Sequence, residues 1–206
     1  MAISHIGSRS PMIPSKPDSL TGHFMVALPG FKEEDFREVV LLICQHDHNG
    51  AMGLVINQPI SGVHLSDLVH QSTMLRHKMG TDDPQDVPLF WGGPVDVNQG
   101  FVLHSPDVTW STTIKINDGI SITPHLDILE EVDGPTMYLP SSYRAMLGHV
   151  SWVAGQLEKE WMNQAWLSLP YQDSFLFDID PHKQWTMMIA ACGVQPMSLS
   201  PIQGCA

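Results

Sequence analysis

His46-Asp47-His48 places two imidazoles and a carboxylate within three residues, donor types that bind a transition metal. On a strand, side chains at i and i+2 share a face, which suits a pair of ligands. The segment runs straight into Asn49-Gly50, however, so it reads as the turn of a hairpin, and no metal site is assigned. Nucleophilic catalysis has less to build on. No Gly-x-Ser-x-Gly elbow occurs, and Cys44 lies in an apolar run where a thiol behaves as a small buried hydrophobe. Trp91-Gly92-Gly93-Pro94 lacks the Lys and Ser/Thr of a phosphate loop. Gly92 and Gly93 suit either a closely approaching ligand or a buried turn that needs positive φ.

A more coherent set consists of polar groups at strand ends. Asn57 follows one apolar strand and His104-Ser105 another, while Gln156 and Glu158 open an amphipathic helix. If these elements meet, Asn57, Gly92, Gly93, His104, Gln156 and Glu158 line a small polar pocket for a ligand. The competing reading is that the same side chains cap helices and satisfy buried backbone groups.

The elements that must position these groups follow from hydropathy. Residues 1–18, rich in Ser and Pro and without periodicity, read as a flexible N-terminal tail, and 19–206 as one domain. His23 to Leu28 is an expected strand stopped by Pro29-Gly30. Val39 to Cys44 is a continuous aliphatic run, the pattern of a strand covered on both faces, and Ala51 to Ile56 returns as its hairpin partner. Val63 to His77 has helix-compatible spacing, and Thr123 could cap a helix through Asp127 to Val132. Val87–Trp91 and Gly100–His104 are short strands around the Gly-Gly-Pro turn. Two more flank Asn117-Asp118-Gly119, and Tyr143 to Trp152 is another. Val153, Leu157 and Trp161 form one helical stripe. Ala165–Leu169 and Phe175–Phe177 read as short strands. Pro181 to Cys192 reads as a helix with Pro181 in its first turn and Gly193 as its stop. Strands and helices in no repeating βα order predict an α+β (mixed α/β) fold: a single domain with a mixed, largely antiparallel sheet flanked by helices.

Composition narrows the function. The 206 residues carry 22 acidic against 10 basic side chains, a formal net charge of −12, with no basic cluster. That balance disfavours direct nucleic-acid binding, which needs cations to displace phosphate counterions, and disfavours anionic membrane surfaces equally. No apolar run reaches the roughly 18 residues of a spanning helix. Three cysteines without motif spacing and no signal-peptide core point to a cytoplasmic protein. Six Trp and 12 Met leave room for a partner-facing surface, which an exposed Trp110 or Trp185 would mark.

Several blocks of the chain together resemble the YqgE/AlgH family of bacterial proteins. They are Ser19-Leu20-Thr21-Gly22-His23-Phe24, Gly50 through Pro59, Trp91-Gly92-Gly93-Pro94-Val95 and Gly100 through Ser105. Further on come Leu147-Gly148, Trp152, Gly155-Gln156-Leu157-Glu158-x-Glu160, Asn163, Ala165-Trp166 and Phe177-Asp178, in fitting order from about residue 19 to 193. Gln71 to Asp86 falls outside these blocks and reads as a variable loop. The resemblance implies a cytoplasmic α+β domain and a link to transcriptional regulation. It brings no reaction, cofactor or catalytic residue with it.

Because the charge opposes operator binding, regulation would act through a protein or small-molecule partner. The expectation is therefore a non-enzymatic regulatory or ligand-binding protein without a cofactor. The alternatives are a hydrolase-like enzyme working through Asn57, His104 and Glu158, and a protein-interaction module.

Overall fold

The computed structural model describes residues 19–29, 34–65, 67, 87–124 and 140–194. The strands are β1 (His23–Ala27), β2 (Val40–Asp47), β3 (Gly50–Val55), β4 (Pro59–His64), β5 (Pro88–Trp91), β6 (Val95–His104), β7 (Ile114–Lys115), β8 (Ser121–Pro124), β9 (Tyr143–Val153) and β10 (Trp166–Pro170). The helices are α1 (Gln156–Met162), α2 (Asp173–Phe177) and α3 (Pro181–Ala191), with a 3₁₀ turn at Glu34–Phe36. The main path of the sheet runs β10-β1-β2-β3-β9-β6-β8-β7, and β5 joins β9 to β4. Every pairing is antiparallel except β5 with β9. The result is a sheet-dominated α+β architecture.

Alternation explains why Phe24–Ala27 of β1 and Val40–Cys44 of β2 are apolar without a break. Phe24, Val26, Val40 and Leu42 join one core cluster together with Trp185, Met188 and Ile189 of α3. Met25, Ala27, Leu41 and Ile43 join a second with Trp152, Leu157 of α1 and Trp166. A strand covered on both sides has no face to leave polar, and burying each such side chain contributes about 1.5–3 kcal/mol. The hairpin expected from Val39 to Ile56 is present. A register shift between Ile43 and Gln45 makes a bulge at Cys44, and the turn is closed by Asn49 N–H donating 2.7 Å to Asp47 Oδ1.

β9 is the shared strand. One edge pairs with β6; the other is divided, Leu89 to Trp91 of β5 lying beside Ala145–Leu147 and β3 beside Val150–Val153. Gly148, at φ 72°, marks the division. On this strand Arg144 is buried, and among the described residues no carboxylate is its hydrogen-bond partner. Its guanidinium donates to the carbonyls of Ile56 and Leu176 and to Gln184 Oε1, and stacks 4.5 Å over the Phe90 ring. Burial pulls its pKa down to about 10.

Three local expectations need correction. Phe175–Phe177 is helical, inside α2, because Gln172 to Ser174 open a turn whose Phe175 N–H returns to Gln172 O at 3.1 Å. Val153 ends β9, 73% exposed, and α1 begins only after Gly155 at φ 75° breaks the strand. Val63 and His64 lie in β4, while Leu65 and Asp67 are helical; the rest of the helix expected to His77 falls outside the described residues, as do the N-terminal tail, the 127–132 helix and the loop 71–86. The helix at Pro181 is present, with Asp180 Oδ1 accepting the His182 N–H at 3.0 Å.

Candidate functional site

The polar residues expected to share a pocket hold different neighbours. Asn57 Oδ1 accepts the Val40 N–H at 2.8 Å, and its Nδ2 donates to Glu38 O at 2.8 Å. It ties the segment entering β2 to the exit of β3. His104 is fully buried, with Nδ1 2.8 Å from Ser105 O and Nε2 2.9 Å from Thr123 Oγ1, and its ring meets Trp110 edge-on. The carbonyl can only accept, so Nδ1 carries the hydrogen and Nε2 takes one from the hydroxyl.

Glu158 lies 3.5 Å from His46 Nε2. His46 Nδ1 accepts the Leu20 N–H at 2.9 Å, while its backbone bonds Ser19 and Thr21. His46 therefore fastens the Ser19-Leu20-Thr21 entry to β2, whereas Asp47 and His48 are exposed. Among the described residues no group of three or more His, Cys, Asp or Glu is placed to hold a metal.

Gly92 and Gly93 serve backbone crossing. A Cβ on Gly92 would stand 2.2 Å from Gly148 O, and one on Gly93 2.2 Å from His149 C and O. No side chain fits between the chains there. Trp185 is buried, its indole N–H donating to Ala27 O at 2.8 Å, and Trp110 is half-buried against His104. Neither makes an exposed tryptophan patch.

Among the described residues, a cleft lies instead where β9 meets α1. Phe36, Pro94, Val95, Val150, Ser151, Trp152, Gln156, Glu160 and Trp166 enclose about 200 Å³. Gln156 is the one residue of the expected set that lines it. At its centre, Glu160 Oε2 accepts the indole N–H of Trp152 and that of Trp166, each at 2.9 Å. Glu160 Oε1 accepts from Gln156 Nε2 at 2.9 Å. Helical spacing sets this up: residues 156 and 160 are one turn apart on α1, so both side chains face the same way. Phe36 packs against Trp166 and Trp91, with ring centroids 6.2 Å away in both cases. The sequence did carry a signal for Glu160, Trp152 and Trp166, since all three fall in the blocks of the resemblance. Nothing in their spacing showed that two indoles would converge on one carboxylate.

With that geometry in place, comparison with known proteins decides the family. The AlgH-like family (DUF179) matches residues 24–197. The chain belongs to the AlgH-like family. A UPF0301 protein of Dechloromonas aromatica is 34% identical over 186 residues, covering 90% of this chain and 97% of the relative. Another, of Thioalkalivibrio sulfidiphilus, is 38% identical over 191 residues, covering 90% and 95%. The solution structure of the AlgH protein from Pseudomonas aeruginosa superposes with a TM-score of 0.70 at 32% identity, covering 95% of this chain and all of that one. A Corynebacterium diphtheriae protein at 23% identity and TM-score 0.63 shares the fold. Among the described residues no helix of this AlgH-like chain is long and apolar enough to cross a membrane.

Proposed function

We propose that this AlgH-like protein is a regulatory binding protein whose ligand or partner group seats in the Glu160 cleft. One observation carries the reading: a carboxylate held by three neutral N–H donors in an aromatic-walled recess. Such an array fixes a charge in place before anything binds, which is how recognition sites lower the ordering cost of association. The hydrolase-like alternative needs His104 as its proton carrier. A fully buried imidazole with both nitrogens engaged offers a substrate neither access nor a free lone pair. Any effect on transcription would then pass through what the cleft holds, since the net charge of −12 opposes direct contact with DNA.

The test is a titration of the purified protein with metabolite and peptide panels, followed through the indole N–H resonances of Trp152 and Trp166. Saturable shifts at these two signals, without turnover, are expected. Robust catalysis of any panel member, or binding that maps wholly elsewhere, would overturn the reading.

A further inference from the structure

We infer that the Glu160 cleft selects an organic cation, an ammonium or guanidinium group carried on a short apolar stem. The inference rests on the binding role just proposed and names the chemistry of what is bound. A carboxylate offers about four lone-pair directions over its two oxygens. Trp152 and Trp166 occupy Oε2, and Gln156 occupies one direction at Oε1. The three N–H partners already in place are neutral, so the carboxylate keeps its charge for whatever enters the cleft, and a positively charged group gains the most there.

The walls agree. Phe36, Trp152 and Trp166 line the space around the carboxylate, and aromatic rings beside a carboxylate attract a cation through both ring quadrupole and charge. Size limits the choice further. About 200 Å³ lies below the roughly 300–1,000 Å³ of sites that enclose drug-sized ligands, so the cleft takes one head group, not a whole nucleotide. The chain's charge of −12 draws such groups in and turns anions away. Two sources share the chemistry: a free amine such as a polyamine, or a Lys or Arg side chain of a protein partner.

Choline, its neutral isostere 3,3-dimethylbutan-1-ol, and methanesulfonate are titrated into the full chain, alongside spermidine and a short arginine-bearing peptide. Calorimetry and the Trp152 and Trp166 indole resonances give the readout. Choline should bind at least tenfold tighter than the isostere, and methanesulfonate should leave both indoles unmoved. Glu160→Gln keeps an acceptor oxygen for the indoles and should abolish the tenfold preference. Phe36→Leu, which leaves the Glu160 hydrogen bonds in place, should weaken choline severalfold if Glu160→Gln proves poorly folded. Tighter binding of spermidine than of the peptide identifies a free amine as the source, and the reverse identifies a protein side chain. Equal affinity for choline and the isostere, or a preference that survives Glu160→Gln, overturns the inference. Indole shifts caused only by the neutral or anionic probe retain the cleft as a binding site but remove the cation. If no probe of any charge moves either indole, both this inference and the proposed site fail.

Discussion

The side-chain amide of Asn57 donates to the carbonyl of Glu38 across 2.8 Å, holding a residue whose backbone sits at φ 54°. A non-glycine residue in that region needs outside support. The other end of the same amide satisfies the buried Val40 N–H. Asn57→Ala removes both bonds and leaves a buried donor unpaired, so it should destabilise the fold by about 2–3 kcal/mol. Urea unfolding measures this; a loss under about 0.5 kcal/mol would assign Asn57 some role other than support.

Glycine substitutions should separate close approach from conformational freedom. Gly93→Ala sets a Cβ 2.2 Å from the His149 backbone at φ 152°, and the variant is expected to be unfolded or expressed only as aggregate. Gly155 has φ 75° but nothing within 4 Å of an added Cβ. Gly155→Ala should cost only the left-handed backbone penalty, about 1–2 kcal/mol. Comparable melting temperatures for the two variants would contradict the crossing described at Gly148.

These two cases show how far the sequence could be read. Val39 to Cys44 announced a doubly covered strand because every residue in it is apolar, and the hairpin to Ile56 was legible from one turn. Asn57 and His104 were legible as polar groups at strand ends, but the partners that occupy them, Glu38 and Thr123, are set by long-range register. Phe175–Phe177 looked like a strand because three residues cannot distinguish period 2 from period 3.6. The cleft was the hardest to see. Trp152 and Trp166 are 14 residues apart on different strands, and only folding α1 back over β9 brings Glu160 between them.

Acid should act on the protein in two steps. Burial holds the His104 imidazole below its ordinary 6.5, an effect opposed by the Ser105 carbonyl and the Asp107 charge. As pH falls the unfolded chain takes up this proton first. The contribution is therefore level above about pH 6.5 and declines below it, with a slope of at most about 1.4 kcal/mol per pH unit, until the folded imidazole also charges. Asp107 is held at about 2 by hydrogen bonds from the Ser105 hydroxyl and from Ser141. Its contribution is present above pH 3.8 and is lost as pH falls toward 2. Thermal melts against pH should show the upper step disappear in His104→Gln and the lower one in Asp107→Asn. An unchanged upper step in His104→Gln would assign it to another group.

Burial pushes the Cys44 thiol far above its usual range, leaving almost no thiolate at neutral pH. Maleimide labelling of the native protein at pH 8 should spare Cys44 and reach the half-buried Cys192 well before it. Peptide mapping by mass spectrometry reads the order. Equal rates would mean that β2 opens locally far more often than a strand packed on both faces should.

The position of β9 has a consequence on the ribosome. β2 and β3 leave the exit tunnel early and can pair at once, yet the outer edge of β3 waits for a strand that begins at Tyr143. Roughly 90 residues separate the two, on the order of 5–20 s of translation, during which an apolar edge stands open. β1 waits longer still, for β10. Trigger-factor-type shielding of the nascent chain should therefore matter more for this protein than its folded stability would suggest, and slowing translation between β3 and β9 should lower soluble yield.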